Sequence, residues 1–434
     1  MPAPEHDQSK PEGSGPKPGT LHRELKFRDA LMFGVGGMLG AGIYAIIGEA
    51  TADAGNLLWL SLSLAALVAL CTAFTYAELV SMFPDAGGGY EYVSQAFGRT
   101  FAAWAATLLL GTGIIAAAAI SIAFADYLGR LVDLNARVII AGILVLVTAF
   151  NAWGAGESSW FNTVATIATV LGLLVVIGFG VPAVFGLGDG SEGGTDLLGP
   201  APGGWIGVSA AAALAFFSFV GFEDLVKMAE EVEEPRKNLP RALIASTLIV
   251  TVIYALVAIS AVSILDHESL AESKGPLSAV MREAWGPIGG VGITIIALFA
   301  TSKTVLTNVM GNSRLLMDVA RDHDKLSFLA YVAPKVHTPV AALGLTFVVT
   351  LAFALIGDLG LVASISNFCV FSAFIVVNAA LIKLHVSRPE LRKQQGFRVP
   401  LHVPLGAGRV SVLPCVSIVL LMALIAANVK NLLG

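Results

Sequence analysis

The sequence predicts an all-α integral membrane protein built as two five-helix repeats of opposite orientation plus one further helix. Three observations carry this. Of the 434 residues, 56% are hydrophobic and only 13% are charged, about half the charge of a soluble domain. Mean hydropathy is +0.79, and apolar runs near the length that a helix needs to cross hydrocarbon recur along the chain. Two of those runs are interrupted by glycine at corresponding places in the two halves. A transmembrane barrel is excluded, because stretches such as Val138 to Val147 are apolar without alternation.

Eleven spans are expected, at about 29–50, 57–82, 99–126, 137–152, 159–185, 205–232, 240–264, 277–312, 338–356, 359–384 and 410–432. Pro, Gly and charge punctuate the gaps, as at Pro84 to Gly89, the acidic Gly-rich stretch 186–204 and Pro235 to Pro240. Residues 1–28 read as a cytoplasmic tail, disordered by its Pro, Gly and charge content, without the basic–apolar–small order of a cleaved signal peptide. The ten-helix core is 29–385, with repeats 29–185 and 205–385. Residues 386–434 supply a cytoplasmic loop and the eleventh span. With the N-terminus in the cytoplasm, 20 of the 26 Lys and Arg fall inside, 5 fall outside, and Lys303 alone lies in the membrane interior. This is the positive-inside pattern, and an odd number of spans sends the C-terminus outward.

Gly34 to Tyr44 breaks span 1 and Phe216 to Glu223 breaks span 6. Glycine weakens a helix, and freed backbone groups survive at membrane depth only where protein or a watery cavity covers them. Paired breaks of this kind point to a transporter site near the bilayer midplane. Unwinding at 38–42 frees amides at the start of a half-helix, which suit a carboxylate. Ala41 and Gly42 are assigned to it, with Gly40 allowing close approach. The carbonyl of Met38, with those of Phe216, Phe217 and Val220, would accept from an ammonium. Ser218 and Gly221 would shape the side-chain subsite. The competing reading is that these glycines serve close helix packing, and that the aromatics are core filler.

Four motifs carry a family resemblance. Gly36 to Gly48, Tyr76 to Tyr90, Phe216 to Arg241 and Ser313 to Asp322 resemble, in order, the signature segments of the amino acid–polyamine–organocation (APC) superfamily. The likeness is nearest to its cationic-amino-acid-transporter-like branch and runs over spans 1 to 10. It implies the 5+5 inverted-repeat, leucine-transporter-type fold, and secondary transport of an amino acid across the plasma membrane. Spans 1, 2, 6 and 7 would rock against 3, 4, 8 and 9. A bulky aromatic, Phe217 or Phe219, would lid the site. Family members usually have twelve or fourteen spans, where this chain shows eleven.

Lys303 is the unusual residue. A lysine at mid-membrane costs about 2.5–3.5 kcal/mol on insertion scales, so it needs a partner or a purpose. By resemblance, Lys303 and Thr304 fall where sodium-coupled relatives hold their ion. Many sodium-independent members place a span 5 lysine there, and the alignment puts Thr169 at that position. Lys303 is therefore expected to act as the cation itself, holding the carbonyl of Gly37 or Gly40. That would make transport sodium-independent and either proton-coupled or exchanging. The alternative is that Lys303 snorkels or pairs with Glu78, Glu223 or Asp224. Glu223 and Asp224 line the pathway or cap the second half of span 6. Glu78 matches a family position or is a structural partner. The acidic run Glu230 to Glu234 is either an inner gate with Arg23, Lys26 or Arg28, or a solvated face.

Other chemistry is not indicated. The sequence holds no phosphate-binding loop, no metal-ligand spacing and no nucleic-acid module. Cys71, Cys369 and Cys415 read as packing thiols. His22, His267, His323, His337, His385 and His402 fall in expected loops or helix ends. The partners implied are an amino acid as small-molecule substrate, the lipid bilayer and, if transport is proton-coupled, protons; no cofactor is implied and no oligomeric state is set. The rival functions are a polyamine or organic-cation carrier of the same fold, a channel, and a non-transporting amino acid receptor.

Overall fold

A computed structural model describes residues 23–84, 88–153, 159–184, 196–321, 324–333, 338–394, 396–405 and 408–433. Expectations resting on the tail up to His22, on Asp85 to Gly87, on most of 186–204, and on His323 and His337 lie outside them.

Span 1 is α1 (Phe27–Met38) and α2 (Gly42–Ala54), two half-helices with a gap between. Span 2 is α3 (Leu58–Met82). A short α4 (Gly89–Phe97) follows, bounded by Gly88 and Gly98, both at positive φ. No apolar run marked it in the sequence, because it is an amphipathic loop helix. Spans 3, 4 and 5 are α5 (Arg99–Leu128), α6 (Ala136–Ala152) and α7 (Ser159–Val184). Span 6 begins as α8 (Gly204–Ala215) and continues only as 3-10 turns. Span 7 is α9 (Pro235–Ile264), and α10 (His267–Glu272) is a short connector capped by Asp266. Span 8 is α11 (Pro276–Arg321), longer than expected and kinked at Gly286 just before Pro287. Spans 9, 10 and 11 are α12 (Val340–Ala354), α13 (Leu359–Ser387) and α14 (Val412–Leu433). Between α13 and α14 lies a small antiparallel hairpin of β1 (His402–Leu405) and β2 (Gly408–Ser411).

Among the described residues, eight stretches are long and apolar enough to cross a membrane. One of them, Gly42–Met82, holds the rest of span 1 and all of span 2, and the apolar helices α6 and α12 are shorter. The eleven expected spans are therefore all present as helix. Large apolar side chains such as Trp104, Leu146, Val348 and Val419 point outward, as lipid-facing surfaces require. Inside, α3 lies along α9, α1 also packs on α9, and α5 lies against α11 and α13. Small residues allow these approaches: Ala116 to Ala119 and Ala210 to Ala213 are buried on α5 and α8.

The described part of the tail expected over 1–28, Arg23 to Arg28, is structured. Leu25 bridges Val232 in parallel, Glu24 and Leu25 amides donate to Glu231 O, and Glu233 N returns to Leu25 O. The start of α1 is thus tied to the end of span 6 through backbone. Beside this junction Glu234 pairs with Lys237 at 2.7 Å, which holds its carboxyl below the usual range.

Candidate substrate site

The position of the first break follows from a diverted amide. In a continued helix, Gly40 N–H would donate to Gly36 O. It turns instead to Met38 O at 2.7 Å, which releases Gly36 O. The Ala41 amide, due to reach Gly37 O, goes to Thr304 Oγ1 of α11 at 3.3 Å. In the second break, α8 tightens into a 3-10 turn over Phe216–Phe219 and opens at Val220, which is extended. Gly221 has φ +119, a conformation that strains any residue with a side chain. A 3-10 stretch, Phe222–Met228, follows.

The two breaks meet backbone to backbone. A Cβ on Gly42 would lie 2.7 Å from Ser218 Cα, and one on Gly221 would lie 3.2 Å from Gly37 O. Tyr254 of α9 spans the junction, its hydroxyl 2.6 Å from Met38 O and 3.1 Å from Ser218 O. Phe219 packs edge-on against Tyr254, and Phe216 against Phe371 of α13. Phe217 and Ser218 are buried too. Asn367 of α13 donates to Ala213 O at 2.8 Å and Leu214 O at 3.2 Å. These carbonyls belong to the last turn of α8, just before the break.

Lys303 is 8% exposed. Its ammonium donates to Thr166 Oγ1 of α7 at 2.6 Å and to Gly36 O at 3.3 Å. It therefore joins α11 to α7 and to the broken segment.

The comparisons decide the family. A family model described as Amino acid permease matches residues 25–431. The chain belongs to the amino acid permease family. The permease is 32% identical over 384 residues to the uncharacterized transporter Rv1999c of Mycobacterium tuberculosis, covering 87% of this chain and 83% of that one. It is 29% identical to cationic amino acid transporter 6, chloroplastic, of Arabidopsis thaliana, over 84% of this chain and 66% of the relative. It is also 29% identical to the branched-chain amino acid permease BcaP of Bacillus subtilis, over 92% and 88%. The permease is thus an all-α, multi-pass membrane protein of the APC superfamily and an amino acid transporter, not an enzyme.

Several sequence expectations need correcting against this geometry. The carbonyl that meets Lys303 is that of Gly36, where Gly37 or Gly40 was expected; the reason is the Gly40 amide, which turns away from Gly36. The span 5 hydroxyl beside Lys303 is Thr166, one turn before Thr169. Thr169 Oγ1 bonds back to Ala165 O, and its own carbonyl takes the Tyr44 hydroxyl at 3.0 Å. The Met38 carbonyl, free in expectation, already has two donors.

The acids are engaged locally. Glu78 is fully buried, with Oε1 2.8 Å from His385 Nε2 and Oε2 accepting from Val399 N at 3.0 Å. It clasps the α13–α14 linker to α3 and α13. Ser81 strengthens the clasp by accepting from the Gly396 and Phe397 amides. Glu223 Oε2 accepts from Gly221 N at 2.8 Å, and Asp224 pairs with Lys227 at 2.5 Å. Toward the far end of α2, a cavity of about 390 Å³ is lined by Gly48, Glu49, Asp126, Lys274 and Asp358 among others.

Two residues beside the breaks were missed, Tyr254 and Asn367; both are polar groups in apolar helices, which is itself the available signal, since such groups in lipid need a partner. His385, expected at a loop or helix end, is instead fully buried in the last turn of α13 against Glu78.

Proposed function

We propose that the permease is a sodium-independent amino acid carrier of the plasma membrane, its N-terminus in the cytoplasm, working by alternating access. Lys303 takes the place of a coupling ion, and transport is driven by protons or by exchange. The α-carboxylate is bound by the amides of Ala41 and Gly42, with Gly40 permitting close approach. The ammonium is bound by the carbonyls of Met38, Phe216, Phe217 and Val220. Ser218 and Gly221 border the side chain, and Phe217 or Phe219 closes over it.

The observation that carries this reading is the contact of Lys303 Nζ with Gly36 O, a carbonyl released by the break itself. A fixed ammonium there neutralises the exposed carbonyl end of α1 and ties it to α7 through Thr166. A soluble cation has no further role at that point. The amides of the first break favour a carboxylate-bearing substrate over a polyamine. Glu223, the acid that a cationic side chain would use, has Oε2 engaged by its own break, which favours a neutral side chain.

The test is uptake of the common amino acids into proteoliposomes, with sodium, choline or an imposed proton gradient. Uptake is expected to be equal in sodium and choline, and to fall about tenfold or more in Lys303→Met, the loss of roughly one strong buried contact. A sodium requirement in the wild type overturns the reading, as does a fully active Lys303→Met protein.

A further inference from the structure

Both lone pairs of Met38 O are engaged. One takes the Gly40 N–H at 2.7 Å, a contact imposed by the turn of the chain. The other takes the Tyr254 hydroxyl at 2.6 Å. That hydroxyl also lies 3.1 Å from Ser218 O, on the other broken segment. A phenol has one proton and cannot satisfy both carbonyls fully. On the opposite side, Ala41 N–H meets Thr304 Oγ1 at 3.3 Å, while the Thr304 proton goes to Ala300 O at 2.9 Å. Thr304 thus presents a bare oxygen to the amide, as a carboxylate would.

We infer that Tyr254 and Thr304 are placeholders. Their hydroxyls sit on the backbone groups that the zwitterion's ammonium and carboxylate take, and both are displaced when substrate binds. This rests on the reading of Met38 O and Ala41 N–H as substrate contacts. The physical reason is the cost of an unpaired backbone group in a membrane interior. Two broken helices need donors and acceptors at their junction before substrate arrives, and fully buried Tyr254 supplies a donor there. A single phenol proton shared between two carbonyls is outcompeted by an ammonium with three donors and a full charge. The placeholders therefore keep the junction closed and lower substrate affinity by the strength of the contacts given up. They discriminate by chemistry, Tyr254 against the amine and Thr304 against the acid.

The experiment uses the purified full chain in detergent. Thermal shifts with the twenty common L-amino acids select the best ligand, and calorimetry gives its Kd. That amino acid is compared with its own amine, lacking the carboxylate, and its own acid, lacking the amine. In Tyr254→Phe, the amino acid and the amine are expected to bind about two- to tenfold tighter, the worth of one net hydrogen bond, with the acid unchanged. Thr304→Val is expected to show the reverse pattern, with gains for the amino acid and the acid only. Unchanged or weaker amino acid binding in Tyr254→Phe overturns the inference, as does a gain that ignores the amine–acid distinction. If Tyr254→Phe does not fold, Thr304→Val decides by the same criterion. A wild type that binds the amino acid no better than the acid lacking its amine overturns the carbonyl reading itself, and this inference with it. That result differs from a discriminating wild type whose variants fail to tighten.

Discussion

At Gly42 a methyl group has nowhere to go. The nearest atom to it is Ser218 Cα at 2.7 Å, and backbone does not yield as a flexible side-chain tip does. Gly42→Ala is expected to cost about 1–3 kcal/mol by overpacking and to abolish measurable amino acid uptake, because the displaced surface is the proposed site. Thermal denaturation beside proteoliposome uptake checks both. Gly221→Ala carries a different penalty, a left-handed backbone with a side chain, of about 1–3 kcal/mol, with the added Cβ 3.2 Å from Gly37 O. It is expected to lower the melting temperature by several degrees. Gly357→Ala, also at positive φ but meeting only Leu355 O at 4.0 Å, provides the comparison. It should lose stability while keeping substrate affinity.

Among the elements, α13 is tied by polar side chains to four neighbouring helices, α3, α5, α8 and α14. Ser366 Oγ donates to Thr112 O of α5, Asn367 to the end of α8, and His385 meets Glu78 of α3. Asn378 Oδ1 accepts from Thr75 of α3, and Ser364 O accepts from Asn428 of α14. Lipid tails do not drive helices together as water does, so contacts of this kind set the rotation and depth of a membrane helix. Asn367→Leu removes the donor to Ala213 O and Leu214 O. It is expected to cost about 0.6–1.7 kcal/mol in stability and to weaken substrate binding, since α8 leads straight into the second break. Glu78→Ala leaves His385 and the Val399 amide without their partner. Destabilisation of about 1–3 kcal/mol is expected, with amino acid affinity unchanged in the fraction that folds. Denaturation curves and calorimetry on the two variants separate a site element from a clasp.

For the whole molecule, the proposed orientation, with the N-terminus in the cytoplasm, puts Arg388 inside and Lys430 outside. In a background with Cys71, Cys369 and Cys415 replaced, a membrane-impermeant maleimide is expected to label Lys430→Cys on intact cells, and Arg388→Cys only after lysis. Labelling of both from outside removes the topology. The closest packing of these helices joins neighbours within each expected rocking group. α3 and α1 lie on α9, while α5 lies on α11. Lys303 and Thr304, on α11, reach across to α1 and Ala41. The proposed site therefore lies between α11 and the broken segment of span 1, where the proposed rocking would change its exposure.

The membrane class, the spans, the two breaks and the need of Lys303 for a partner are all legible in the chain before it folds. Each follows from local chemistry: apolar length, glycine's weak helicity and the cost of charge in hydrocarbon. The sequence could not determine which carbonyl Lys303 holds or which threonine faces it. Gly36 rather than Gly37, and Thr166 rather than Thr169, depend on one amide turning back on its own chain and on the register of α7 against α11. Tyr254 and Asn367 escaped for a related reason. Their partners are backbone atoms far away in the chain, and a single polar residue in an apolar helix has no periodicity to announce where it points. Only the packed tertiary structure, by bringing the two broken helices into contact, decided which of their freed groups are already taken and which side chains took them.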